Sequence, residues 1–286
     1  MNTQQECIGR DIPAPTQREV RQRCGFGCVV CGFPLYQYHH MEEWSVTKTH
    51  EIDGITLLCD QHHRELHARL LPAGKILDDN INPFNLRLGV SKPYDFHFSG
   101  AEAAIEIGSN SFTLTCGEGE AGLYPIIIDY HPLIWFLIQD GHLLLNLQIF
   151  DKFNNKIMVI TDNQLVYSTI PWDIELVKNR LTIREEKRKI LLEIDFCPPS
   201  NIIVRRGRFL LNGVEIIVRH DCVFLLNNHM VIKRLKAINA PAGFILGYPR
   251  PQISACCRIP NVHRYGVDRK AALRVLRRSR TRLATA

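Results

Sequence analysis

From residue 96 to about 250 the chain is written in short apolar runs set apart by polar turn signals. Ile202-Ile203-Val204, Phe209-Leu210-Leu211 and the stretches 214–218 and 222–226 are such runs, and Arg206-Gly207, Asn212-Gly213 and Asn227-Asn228 punctuate them. Runs of this length, rich in β-branched and aromatic residues and broken every several positions by Gly or Asn, predict an all-β domain. The even spacing after Asn163 suits a sandwich or a short β-solenoid, and no strict repeat is evident.

The first part of the chain has a different rhythm. Thr16-Gln17-Arg18-Glu19 follows Pro15 and fits a capping box, which predicts a short basic helix over about 16–24. Gly25 and Gly27 end it and allow a tight turn. Leu35-Tyr36-Gln37-Tyr38-His39 predicts a strand, and 52–58 predicts a second. Asp60 can then cap a helix over roughly 61–71 that stops at Pro72-Ala73-Gly74. The order is strand, loop, strand, helix. Residues 78–95, rich in Asn, Pro and Gly, are expected to form a linker. Residues 251–286 are expected to form a basic tail with a helix, Ala271, Val275 and Leu283 on one side and Arg269, Arg274, Arg277, Arg278 and Arg282 on the others.

A chain of 286 residues that is 45% hydrophobic can build two domains with a substantial core, so only one part should depend on metal. Five of the ten cysteines, Cys7, Cys24, Cys28, Cys31 and Cys59, fall in the first sixty residues. Cys116, Cys197, Cys222, Cys256 and Cys257 lack ligand spacing and are expected to be buried free thiols. Residues 1–11 are polar and carry no apolar signal core, so a reducing, cytoplasmic setting is expected, where zinc explains clustered thiols better than disulfides do. The most apolar run, 123–138, is broken by Asp129, His131 and Pro132 and is too short to span a bilayer. No membrane partner is expected.

Formal net charge is +6, and from 264 to 286 eight Lys and Arg face the single acid Asp268, so the tail carries +7 and the remainder −1. A basic arm on a nearly neutral body suits polyanions, though a solvated tail with no partner fits the charge equally well.

The chemistry concentrates between Cys28 and His67. Cys28-Val29-Val30-Cys31, His39-His40, Cys59-Asp60-Gln61-His62-His63 and His67 offer enough soft donors for two metal ions. Two pairs with C-x-x-C and C-x-x-H spacing on separate turns are a standard way to close a tetrahedral zinc site. At least three histidines are left over, and an open metal position built from them suggests hydrolysis. On a helix His63 and His67 face the same way while His62 turns aside toward the cysteines. His131, His142, His220, His229 and His263 lack ligand spacing and are expected to be structural or exposed. Glu42 and Glu43 read as loop surface, with an extra metal ligand as the alternative.

In this order the motifs resemble the HNH endonuclease family, whose ββα-metal fold is often supported by a treble-clef zinc knuckle. The likeness covers only about 18–71. Arg21-Gln22-Arg23-Cys24-Gly25-Phe26-Gly27-Cys28-Val29-Val30-Cys31-Gly32 looks like the approach to the knuckle. Tyr38-His39-His40 looks like the first catalytic element, and the stretch from Leu57-Leu58-Cys59 to Leu66-His67 like the last. The resemblance implies that Cys28, Cys31, Cys59 and His62 hold a structural Zn2+. It implies that His39, His63 and His67 hold a catalytic Mg2+ or other divalent ion, with His40 as general base. Double-stranded DNA is then the expected partner, cut to leave a 5′ phosphate. Arg18, Arg21 and Arg23, with Lys48, are expected to contact phosphate.

The expected fold class is α+β: a small N-terminal ββα-metal or treble-clef zinc domain over 1–77, the linker 78–95, a mainly β C-terminal domain over 96–250 (sandwich or short β-solenoid), and the tail 251–286. One position departs from the family. Gly54 stands where members carry an Asn that braces the loop and orients the base; Asp53 or His50 could substitute, or the hairpin is slack. A degenerate, zinc-stabilised nucleic-acid-binding or scaffolding protein is therefore a competing expectation. The β domain is expected to serve targeting, regulation or assembly, or itself to bind the main ligand and gate the small domain. A symmetric homodimer would make paired nicks easy.

Overall fold

The computed structural model describes residues 11–42, 49–248 and 253–264. Lys48, Glu43, Cys7 and the helix expected in the basic tail lie outside these residues. The fold is α+β: the described α-helices all precede Gly89 and a large β region follows. Two compact units divide the chain, one of residues 1–94 with 168–174, the other of 95–167 with 175–286. Among the described residues no helix is long and apolar enough to cross a membrane.

The first unit opens with helix α1, Ala14–Arg23. It begins two residues before the Thr16 capping box, with Pro13 at its N-cap and no side-chain cap. Proline already fixes the φ a first turn needs and has no donor to satisfy, so the box is not used. A two-stranded hairpin follows, β1 (Gln37–His40) antiparallel to β2 (Ile55–Leu58), with His40 opposite Ile55. Helix α2 is Asp60–His67 with Cys59, not Asp60, at the N-cap.

Residues 78–95 are not a linker. They hold the end of helix α3 (Ala73–Ile81) and all of helix α4 (Phe84–Leu88). Ile76 of α3 joins Val20, Val29, Ile55, Leu57 and Leu58 in the unit's core. The Asn, Pro and Gly that suggested a loop punctuate helices instead: Pro83 is the N-cap of α4, and Gly89 at φ +73° closes it in the left-handed region that favours glycine.

A distant segment completes this unit. Arg21, 3% exposed, pairs through Nε and Nη2 with both carboxylate oxygens of Asp173, which is fully buried, at 2.9 Å each. Burial opposes the Arg21 charge, and the hydrogen bonds to Asp173 more than restore it, so Arg21 stays charged. Gln22 Nε2 donates to the Trp172 carbonyl at 2.6 Å, and the Arg18 guanidinium lies over the Trp172 ring at 4.8 Å. Removing one member of a buried pair strands the other charge. Asp173→Ala is therefore expected to destabilise the unit by about 3–5 kcal/mol, to be read as a lowered urea midpoint; a midpoint unchanged from the wild type would refute this role for the pair.

The second unit is built of two sheets. The first orders Ala255–Ile259, Ala242–Leu246, Glu120–Ile128, His131–Gln139, His142–Phe150, Lys156–Thr161 and Gln164–Tyr167 side by side. The second runs Arg180–Glu186, Lys189–Cys197, Asn201–Leu211, Val214–Arg219, Cys222–Leu225 and Met230–Ile232, with Glu102–Ile107 parallel to Asn201–Leu211. Alternation drives them: Leu143, Leu145, Leu147 and Ile149 of one strand all point inward. Phe112 of the second sheet meets Phe244 of the first edge-on at 5.4 Å, so the sheets face each other as a sandwich, not a solenoid.

Three expectations change here. Arg206-Gly207 is not a turn but lies inside the strand Asn201–Leu211, beside a register shift, and a Cβ at Gly207 would come within 2.7 Å of the Leu191 carbonyl. Glycine there permits close backbone approach. Residues 255–259 belong to this sheet and not to a tail. Of the later cysteines only Cys222 is buried; Cys116, Cys197 and Cys257 are half-buried and Cys256 is exposed, the last two being on an outermost strand. The five histidines set aside above are exposed, as is Glu42.

Candidate metal centre

The knuckle is made by turns that only glycine takes easily. Gly25 (φ +68°) ends α1, and Gly32 (φ +75°) follows Cys31, with Gly32 N donating to the Cys28 carbonyl at 2.7 Å. Asn85 of α4 plugs the turn: its Nδ2 donates to the Gly25 carbonyl at 2.9 Å, and a Cβ on Gly32 would fall 2.1 Å from its Oδ1. The backbone is tied as well, Phe84 N to the Val29 carbonyl at 3.0 Å and Lys92 N to the Gly32 carbonyl at 3.1 Å. The stretch expected to be a linker thus buttresses the CxxC turn.

Cys59 sits where β2 passes into α2, and His62 lies in the first turn of that helix. His62 Nδ1 is 3.2 Å from Cys59 Sγ and 3.4 Å from Cys28 Sγ, and Cys31 Sγ is 3.8 Å from Cys59 Sγ. With Zn–S of about 2.3 Å and Zn–N of about 2.0–2.1 Å, a tetrahedron has S···S edges of about 3.8 Å and S···N edges of about 3.5 Å. The observed separations match that figure, and the four donor atoms all lie within 4.8 Å of one another. The chemistry of the set agrees. Proton sharing with Cys31, then burial, pushes the Cys28 thiol up, while the same hydrogen bond lowers Cys31, and burial raises Cys59. Three thiolates need a cation among them to coexist here. The Cys3His cluster can hold a metal ion, and its donors are those of structural zinc.

A second cluster stands at the open side of the hairpin. His39 of β1 faces His63 and His67, one turn apart on α2, with ring centroids 5.1, 5.7 and 4.6 Å apart for the pairs 39–63, 39–67 and 63–67. Their donor nitrogens lie within 4.8 Å of one another. Burial, then the neighbouring imidazoles His63 and His67, push His39 down to about 4, and burial with His67 lowers His63. These rings therefore keep lone pairs available at neutral pH. Three imidazoles suit a borderline divalent ion and leave further coordination positions free for other ligands.

His40, next along β1, falls on the other face of the strand from His39. Its Nε2 is 3.4 Å from Nδ1 of His50, ring centroids 5.5 Å apart and planes inclined at 41°.

The arginines expected to contact phosphate are engaged within the unit. Arg21 is buried on Asp173; Arg18 lies over Trp172 and 3.6 Å from Asp173. Arg23 Nη2 donates to the Ile52 carbonyl at 2.9 Å and to the Ile55 carbonyl, spanning the 3₁₀ turn Ile52–Gly54. Arg23 is thus the brace of the loop at the position where family members use Asn. Asp53 is 98% exposed, 4.0 Å from Arg23, and Gly54 has open space where a side chain would go. Sequence reasoning missed Arg23's role, Asn85 and Asp173. It also passed over Arg64 and Arg69, which stand exposed on and just after the helix that carries His63 and His67. No protein-family model, curated protein or solved structure matches the chain.

Proposed function

We propose that the N-terminal unit is an HNH-type endonuclease, stabilised by zinc at Cys28, Cys31, Cys59 and His62 and hydrolysing phosphodiester bonds in DNA. The observation that carries this reading is the juxtaposition of two distinct donor sets on one hairpin and helix: a Cys3His tetrahedron, and a separate trio of imidazoles beside a further histidine. One set closes the scaffold. The other is of a kind that serves catalysis.

In this reading His39, His63 and His67 would hold a divalent ion, which when bound supplies positive charge to the scissile phosphate and the departing 3′ oxygen. His40 accepts a proton from the attacking water as the new P–O bond forms. The P–O3′ bond breaks, the 3′ oxygen gains its proton from solvent, and the phosphate stays on the 5′ side. Arg23 keeps the strand opposite His40 in register by holding the carbonyls of Ile52 and Ile55. Exposed Arg64 and Arg69 replace Arg18, Arg21 and Arg23 as candidate phosphate contacts.

Engagement of those three arginines inside the unit also favours a second reading, a zinc-stabilised binding or scaffolding protein without cleavage. A plasmid assay on the full chain separates the two. The nuclease reading expects about one tightly held zinc per chain and conversion of supercoiled to nicked or linear DNA that requires added Mg2+, Mn2+ or Ni2+. DNA retarded in a gel but never nicked under any of these ions overturns it in favour of the second.

A further inference from the structure

We propose that His50 is the positioning residue of the candidate general base: Nδ1 of His50 accepts the proton on Nε2 of His40 and so keeps the free lone pair of His40 on Nδ1. The catalytic consequence rests on the nuclease reading, whereas the pairing of the two rings does not.

The argument starts from the contact. A separation of 3.4 Å between His40 Nε2 and His50 Nδ1 is at the long end for a nitrogen-to-nitrogen hydrogen bond. A neutral imidazole has one N–H and one lone pair, and the partner of one nitrogen decides which form the ring takes. Two pairings are open. If His50 donates, His40 carries its proton on Nδ1 and spends its only lone pair on His50, leaving nothing with which to accept a proton from water. If His40 donates, Nδ1 is free to act.

Only the second pairing survives the reaction. When His40 takes a proton on Nδ1 it becomes an imidazolium, and the Nε2–H already aimed at His50 becomes a charge-assisted hydrogen bond. The contact is therefore stronger after proton transfer than before it, which is what lowers a barrier rather than merely tightening binding. In the first pairing His40 would have to break its bond to His50 before it could accept the proton.

Both backbones that carry these rings are anchored. Met41 N, next to His40, donates to the Gly54 carbonyl at 2.9 Å, Gly54 N donates to the Glu51 carbonyl at 3.1 Å, and Arg23 holds Ile52 two residues beyond His50. Asp53, the other residue placed to act on the base, is 98% exposed and is directed to Arg23 instead.

Selective ¹⁵N labelling of histidine in the full chain, with long-range ¹H–¹⁵N spectra assigned through His40→Gln, tests the pairing directly. His40 is expected as the Nε2–H tautomer in the wild type and as a mixture in His50→Ala. Alongside, steady-state nicking by His50→Ala is expected to lose about 10–100-fold in kcat, as is usual when an orienting partner is removed, with KM within about twofold. His50→Gln, whose amide oxygen can accept the same proton, is expected to recover most of that loss. A wild-type His40 found as the Nδ1–H tautomer overturns the proposal, as does a kcat unchanged in His50→Ala. If the wild type does not nick DNA at all, the nuclease reading falls and the tautomer spectra alone decide whether His50 orients His40.

Discussion

Replacing Cys59 with Ser is expected to unfold the N-terminal unit while leaving the melting transition of the β sandwich in place. Cys59 is 5% exposed and occupies the junction of β2 and α2, so its sulfur ties the helix that bears His62, His63 and His67 to the knuckle that bears Cys28 and Cys31. The apolar core beneath is small, built around Val20, Val29, Ile55, Leu57, Leu58 and Ile76. Structural zinc contributes about 10–16 kcal/mol to the folding of zinc-finger peptides, against a total stability of about 5–15 kcal/mol for ordinary domains. A serine hydroxyl is a poor substitute for thiolate, so most of that contribution is lost with one atom changed. Elemental analysis is expected to fall from about one zinc per chain to near none, and calorimetry of the full chain to lose one of two transitions. A variant that keeps both transitions would show that the Cys3His cluster does not hold the unit together.

The donor cluster was the most legible part of the sequence, because ligand chemistry and spacing are local: two residues between Cys28 and Cys31, and two between Cys59 and His62, fix their own geometry. The same holds for His63 and His67, brought together by one turn of α2. The β runs were legible through alternation, and Asn212-Gly213 does form a turn, with φ of +49° and +75°. What failed was composition used as a proxy for structure. Pro83 and Gly89 look like linker residues until it is clear that one starts a helix and the other ends it. Arg206-Gly207 looks like a turn until a neighbouring backbone is found where a side chain would be. Arg21 looked like a phosphate ligand because its partner, Asp173, is 152 residues away, and no local pattern announces a contact of that separation. Each of these depends on what packs against the residue, which periodicity does not encode.

The same distinction between local chemistry and packing separates the expected effects of changing His40. His40→Ala is expected to lower single-turnover nicking by about 10²–10⁴-fold, the range that a positioned general base supplies, without shifting the melting transitions or the zinc content. His40 is only half-buried, on the face of β1 away from His39, and lies outside the core formed by Ile55, Leu57 and Leu58. Truncating it removes a proton acceptor and the contact to His50 but leaves both donor clusters their ligands. Water can still attack unassisted, so the residual rate should rise with pH as hydroxide replaces the missing base, where the wild type has an acceptor already in place. Nicking by His40→Ala at the wild-type rate, with the fold intact, would remove this residue from the mechanism and move the search for the base to the other side of the hairpin.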